Sequence, residues 1–204
     1  MSKQLTLLGH NSLGVFDGFL LFLFVWEKFF LRYKTRSISM GNRKKTWQEK
    51  LADKEGLPKT LELKQNFPCF NALHKMGVEV GETVVLVNPR EVVEVMKQVP
   101  VGRLVTMVDI CQKIARDHEV KGCCSLTSGI FIMTAANAAE EAHKEGKDLG
   151  IPYWRTLKAD EYLNAKYPGG EEAHKKLVEG EGHVVTRQGS HYRVVDFEKK
   201  LLKS

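Results

Sequence analysis

Three aromatic rings, a guanidinium and a carboxylate recur close together in the C-terminal part of this sequence. Pro152-Tyr153-Trp154-Arg155 carries two of the rings and the guanidinium, Tyr167-Pro168-Gly169-Gly170 the third ring and two glycines, and Glu181-Gly182 the carboxylate. As a catalytic set these residues are poor. A phenol keeps its proton up to a pH of about 10, and a carboxylate with neither cysteine nor histidine to work through generates no nucleophile. As a binding set they suit a flat ligand. Stacking on an aromatic side chain is worth roughly 1–3 kcal/mol per nucleobase, enough to hold a base rotated out of a duplex without reacting with it. Tyr153 and Trp154 would form one wall of such a pocket, and Tyr167, Gly169 and Gly170 the other. Arg155 is suited to pair with Glu181 and steady the loop, ahead of a phosphate contact. The competing reading packs Tyr153 and Trp154 into the core.

More ordinary nucleophiles are Cys123 and Cys124, which stand near the start of a predicted helix, where a thiol pKa can fall. With Cys69 and Cys111 they show no disulfide-framework spacing, and neighbours in sequence do not readily pair, which points to a reducing compartment, cytoplasmic or nuclear. No CxxC or His-x3-His pair suggests zinc, and His118 five residues before Cys123 is too little to build a site on. No metal or cofactor is expected. The net charge of +6 hints at a polyanionic partner. The first 39 residues hold five of the 31 basic and two of the 25 acidic residues, so 26 basic and 23 acidic remain beyond them. That balance permits nucleic-acid binding without demanding it.

The elements that must position these residues begin after a segment of different character. Residues 1–39 contain the apolar run Phe19–Trp26, well short of the roughly 20 residues a membrane span needs, so membrane insertion is not expected. Lys3 alone precedes the run and no small-residue cleavage site follows it. Arg32–Ser37 leaves organelle targeting open. The preferred reading makes 1–39 a non-core extension and Met40 the start of the folded unit. Residues 40–88 read as a basic arm with a short helix over Trp47–Asp53 and one or two strands over Val78–Val87 around a turn at Gly81. Residues 89–204 then hold the helices. Asn88, Pro89 and Glu91 start one that runs to about Gln98. Thr106 and Asp109 start a second, a third runs from Gly129 to about Glu145, and a fourth from Glu171 to Gly180. His183–Arg187 and His191–Val195 flank Gln188-Gly189-Ser190 as a hairpin. The fold class is therefore mainly α with a small β component: a winged helix-turn-helix domain with an N-terminal arm or short hairpin and a C-terminal hairpin as the wing.

Several motifs in order carry a resemblance. Val99-Pro100-x-Gly102-x-Leu104-Val105-Thr106 followed by Ile114-Ala115, then Ile151–Arg155, Tyr167-x-Gly169-Gly170, Lys175-Lys176-Leu177 and Glu181-Gly182, resemble the DNA-binding domain of the O6-alkylguanine-DNA alkyltransferases over about residues 89–182. That family carries Pro-Cys-His-Arg where this chain has Pro152-Tyr153-Trp154-Arg155. Its reactive cysteine and its histidine are replaced by Tyr153 and Trp154, while Glu181 keeps the third position of the relay. The closer likeness is to the alkyltransferase-like branch, whose members lack the cysteine and bind O6-alkylguanine in DNA without removing the alkyl group. They usually keep the histidine, so this chain departs further. The resemblance implies a non-catalytic, monomeric protein that binds double-stranded DNA, senses alkylated guanine, and hands the site to a repair protein.

It also implies DNA contacts. Arg103, Thr106, Ser125, Thr127, Ser128, Asn137, Arg187 and Arg193 are the candidates, with His191 beside them. Asn137 falls where the family has a hinge between its DNA helix and the active-site loop. The family inserts an arginine from that helix into the duplex, and here the position is Ser128 or Gly129. No arginine or lysine lies between Leu126 and His143. The row Ile130-Phe131-Ile132-Met133 could wedge a minor groove, though core burial is the expected fate of such residues. Two rivals follow: an enzyme that accepts alkyl groups on Cys123 or Cys124, and a protein-interaction module without DNA affinity.

Overall fold

Side chains that close the ends of helices set the frame. The computed structural model describes residues 43–53 and 56–202, so the Phe19–Trp26 run and Met40 lie outside the described residues. Thr46 with Glu49, Asn88 with Glu91 and Thr106 with Asp109 each form a reciprocal capping box, starting α1 (Trp47–Ala52), α3 (Pro89–Lys97) and α4 (Met107–Asp117). A cap of this kind is worth about 1 kcal/mol. Between α1 and α3 lie β1 (Lys59–Glu62), α2 (Phe70–Lys75) and β2 (Thr83–Leu86). After α4 come β4 (Gly122–Cys123) and the long α5 (Ser125–Lys144), with β3 (Val105–Thr106) just before α4. A 3-10 turn (Tyr153–Arg155), β5 (Thr156–Leu157), α6 (Gly170–Gly180), β6 (Val185–Gln188), β7 (His191–Val194) and α7 (Phe197–Lys200) complete the order.

The architecture is mainly α with a small β component, and the helix pair α4–α5 and the C-terminal hairpin stand where expected. β6 and β7 pair antiparallel from Val185↔Val194 to Gln188↔His191, and Gly189 turns the chain at φ +63°. The strand expectation around Gly81 needs correcting. Val78–Glu82 forms a turn: the Glu82 amide donates to the Glu79 carbonyl, and the Glu82 carboxylate accepts the Glu79 amide. Val78 is buried while Val80 is 53% exposed, so the two do not share a strand face. β2 pairs instead with β1, antiparallel, and with β4, parallel. Residues 67–76, expected as an arm on the core, contain α2, which buries Leu73.

Three apolar cores result. One, built around Val92, Met96, Ile110, Ile114 and Ile132, includes Tyr153 and Tyr167. A second lies under α2 around Leu63, Leu73, Val78 and Val84, and a third joins Leu104, Leu157, Leu163, Val178, Val194 and Phe197. Adjacent strand residues point to opposite faces, so Cys123 enters the first core and Cys124 the second. Gly122 must stay glycine: a Cβ there would come within 2.8 Å of Val78 and 2.9 Å of Leu73. α5 begins four residues before the expected Gly129 and buries Ala135, Ala136, Ala138 and Ala142, whose small side chains let its neighbours approach. Its Glu141 carboxylate accepts the backbone amides of Trp47 and Gln48, pinning the start of α1. Among the described residues, no helix is long and apolar enough to cross a membrane.

Candidate functional site

The 3-10 turn carries Tyr153, Trp154 and Arg155 between α5 and β5, and the carboxylate of Glu181 organises it. The Trp154 indole N–H donates to Glu181 Oε1 at 2.7 Å, and the Arg155 Nε–H reaches both carboxylate oxygens at 2.9 and 3.0 Å. Arg155 Nη2 lies 2.8 Å from Oε1, and the Gly102 amide donates from 3.2 Å. Burial would raise the Glu181 pKa, but these donors outweigh it and hold the carboxyl below its ordinary range. Arg155 also donates through Nη1 to the Val99 carbonyl, tying the turn to the segment before β3. The guanidinium is thus used up in pairing and in bracing the loop.

Tyr153 is 2% exposed, and its hydroxyl donates to Glu140 Oε1 at 2.8 Å. Its burial, and then Glu140, push the phenol pKa well above the ordinary value, which removes it as a nucleophile. Its ring meets Trp154 edge-on at 5.5 Å and Tyr167 edge-on at 5.2 Å. Tyr167 is buried too, and its hydroxyl donates to the Thr156 carbonyl at 3.0 Å.

A residue that sequence reasoning missed holds these parts together. His174, on the inner face of α6, is fully buried. Its Nε2 lies 2.7 Å from the Trp154 carbonyl and its Nδ1 2.9 Å from the Asn164 amide nitrogen. A carbonyl can only accept and an amide N–H can only donate, so the ring is neutral with its proton on Nε2. Burial lowers its pKa to about 4. The signal available in the sequence was its place one helical turn before Val178, on the same buried face.

The predicted pocket residues divide between two cavities. The first, about 480 Å³, is lined by Met107 of α4, Gly129 and Met133 of α5, and Leu163, Asn164 and Tyr167 of the loop before α6. Lys158, Lys166 and His191 also face it. The second, about 450 Å³, is lined by Tyr153, Trp154 and Arg155 together with Lys97, Glu140 and His143. Tyr153 and Tyr167, in contact with each other, therefore stand in different cavities. Gly169 and Gly170 line neither. They turn the chain into α6 at φ +77° and +75°, and a Cβ on Gly169 would lie 2.6 Å from that of Ala173. Their role is conformational, since positive φ favours glycine. The methionines and Asn164 went unnoticed because they come from separate elements and carry no motif.

Several expected DNA contacts are corrected by their surroundings. Ser128 is fully buried, donates to the Cys124 carbonyl and lies 3.2 Å from Cys123 Sγ. Thr106 is buried and spends its hydroxyl on Asp109. Asn137 is no hinge: it sits inside α5 with its amide donating to the Met133 carbonyl at 2.8 Å, because the alanine-rich helix continues past it. Arg193 pairs with Glu161 and Glu198 and lies over the Phe197 ring. Thr127 donates to the Cys124 carbonyl, and Ser125, half-buried, begins α5. Arg103 and Arg187 are exposed; each also donates to a backbone carbonyl, of Lys199 and Gly189. His191 is exposed with Nδ1 3.3 Å from Glu171. In the apolar row Ile132 is buried, but Ile130 is 54% exposed, contrary to the expectation of core burial. Cys123 and Cys124 are 0% and 3% exposed, and contact with the Cys111 thiol and burial push the Cys123 thiol up.

No protein-family model matches the chain, and no curated protein matches it. Among solved structures it is similar to ATL from S. pombe in complex with DNA, at 15% identity over 57% of this chain and 94% of that one, with a TM-score of 0.42. It is likewise similar to S. pombe Atl1 in complex with damaged DNA containing O6-carboxymethylguanine, at 17% identity with the same coverage and TM-score.

Proposed function

We propose that this protein binds double-stranded DNA and takes an O6-alkylated guanine, rotated out of the duplex, into the cavity between Met107, Met133 and Tyr167 without transferring the alkyl group. One observation carries the reading. Tyr167, the aromatic residue of the motif Tyr167-x-Gly169-Gly170, lines with Met107 of α4 and Gly129 and Met133 of α5 a mainly apolar cavity of about 480 Å³, within the range of small-ligand sites. The residue at the alkyltransferase nucleophile position, Tyr153, faces a different cavity with its hydroxyl given to Glu140. The thiol alternative is disfavoured, because Cys123 and Cys124 are both buried out of reach of a duplex, and the Cys123 thiol is also pushed up, so that it holds little thiolate to attack with. Lys158, Lys166, Arg103 and Arg187 are the cations suited to phosphates, with the hairpin as the wing of a winged helix. Because nothing is repaired in such a complex, a separate repair protein must act on the marked base, and a reducing compartment suits the four free cysteines.

Fluorescence anisotropy at low salt, with matched duplexes that do or do not contain O6-methylguanine, tests this. The modified duplex should bind more tightly, affinity should fall as salt rises, and intact-mass measurement should find no methyl on the protein. Equal affinity for both duplexes, or a methylated protein, would sink the reading. Gly129 offers a sharper probe. An added Cβ there lies 3.5 Å from Met107 Sδ, an ordinary contact, and the position is helical with no positive φ. Gly129→Ala should therefore raise stability by up to about 1 kcal/mol. It should weaken binding of the modified base by about 1 kcal/mol, roughly fivefold, because the methyl occupies cavity space. Thermal unfolding and anisotropy on the same sample separate the two effects.

A further inference from the structure

We infer that the side-chain amide of Asn164 reads the N1 position of the bound base and so selects purines whose N1 carries no proton. The inference rests on the proposed function and deepens it, by naming the group that tells an O6-alkylated guanine from guanine. Asn164 lines the first cavity from the loop before α6, and three contacts fix it. Its backbone amide donates to His174 Nδ1 at 2.9 Å, and its Oδ1 accepts the Lys166 amide at 3.0 Å. A backbone N–H can only donate, so the side-chain oxygen faces Lys166 and Nδ2 is the outward donor. Nδ2 lies 3.6 Å from the Met133 thioether, which can only accept, so both partners agree on the orientation. Nδ2 also stands beside the Tyr167 hydroxyl, whose own proton goes to the Thr156 carbonyl. One amide hydrogen thus has an oxygen to bond, and the other has a sulfur, a weak acceptor on a flexible side chain. Met133 lines the same cavity, so the hydrogen on its side is the one a ligand can take over.

The chemistry of the base decides what such a hydrogen selects. Guanine carries a proton on N1, so a donor facing that atom meets another donor. Alkylation at O6 fixes the ring in a form without this proton, and N1 becomes an acceptor. A held N–H donor facing N1 therefore gains a bond with the modified base and leaves two donors opposed with guanine. The other polar groups of the cavity are differently placed. Lys158 pairs with Asp160 at 2.9 Å, and His191 lies 3.3 Å from Glu171. Lys166 is exposed, and an ammonium on a flexible stem suits any acceptor. Asn164, held through its backbone and its side chain at once, can discriminate.

The test uses duplexes that place O6-methylguanine, guanine or 2,6-diaminopurine opposite an abasic site, where no base pair has to be opened. 2,6-Diaminopurine has an unprotonated N1 and no alkyl group. In fluorescence anisotropy the wild-type chain should bind O6-methylguanine about tenfold tighter than guanine, and 2,6-diaminopurine at least about threefold tighter. Asn164→Asp keeps an oxygen for the Lys166 amide but turns an acceptor toward N1 in place of the donor. It should bring both ratios to about one or below, with thermal unfolding showing that the variant is folded. Unchanged ratios in the variant overturn the inference. So does a wild-type chain that binds 2,6-diaminopurine no better than guanine. That result needs no variant, and it decides the matter even where Asn164→Asp fails to fold. A wild-type preference for O6-methylguanine opposite cytosine that vanishes opposite the abasic site traces the preference to pair opening. It overturns reading by Asn164 and leaves lesion binding intact. A wild-type chain without preference in either setting overturns both.

Discussion

Replacing His174 by alanine is expected to lower the unfolding free energy by about 3–5 kcal/mol, from the volume lost and two buried groups left unpaired. The imidazole joins the Trp154 carbonyl to the Asn164 amide, so its loss frees the loop that forms one wall of the first cavity. Binding of modified DNA should fall more steeply than stability alone explains, measured at a temperature where the variant is still folded. The same residue sets an acid limit. Its pKa is about 4 in the folded chain against an ordinary 6.5, so the folded state stays neutral where the unfolded chain takes up a proton. Stability from this neutral ring is therefore complete above pH 6.5 and falls as pH drops toward 4, by about 3 kcal/mol over the window. His183, whose pKa is lowered by burial and by Lys200, acts in the same direction. Urea unfolding at about pH 7 and about pH 4.5 should show this loss in the wild type and a smaller one in His174→Ala. An identical pH response in both would contradict the assignment.

Arg155→Ala should be comparably damaging. Arg155 and Glu181 side chains are each only 12% exposed, and removing the cation strands a carboxylate in a poorly solvated place. Breaking such a pair costs about 3–5 kcal/mol. Glu181 would keep the Trp154 and Gly102 donors, so its pKa should rise without the carboxylate being wholly abandoned. Glu181→Ala strands the guanidinium in turn, although the Val99 carbonyl still accepts from it. In a double-mutant cycle the Arg155→Ala/Glu181→Ala variant should therefore be less destabilised than the two single losses added together. Additive losses in urea unfolding would show that the pair does not act as a unit.

What the sequence made legible was local. Asn88 with Glu91 and Thr106 with Asp109 announce helix starts within four residues, and Gly189 between two alternating segments announces a hairpin. The Arg155–Glu181 pairing was also readable, because the chemistry of the two groups left few other uses for them. What remained hidden depends on distance along the chain. β2 pairs with Lys59–Glu62 and with Gly122–Cys123 rather than with the nearer Val78–Val80, and local alternation has no access to that choice. Tyr153 and Trp154 were read as facing Tyr167 across one pocket, yet the 3-10 turn rotates them to its other side. The cavity wall comes from single residues of α4, α5 and a loop, none of them remarkable in its own segment. His174 was passed over because one histidine on a helix has no meaning until its two partners arrive from elsewhere.

The alternation of two short strands reaches further than their size suggests. In β2, Val84 enters the core under α2 and Val85 the core under α3; beside it Cys124 and Cys123 do the same. Two apolar cores are thus clamped to a single pair of backbone ladders, on opposite faces of one small sheet. Melting either core would pull the register from the other, so the strands act as a common keystone. The chain from β1 through the long helix should consequently behave as a cooperative whole, gaining or losing its order in one step.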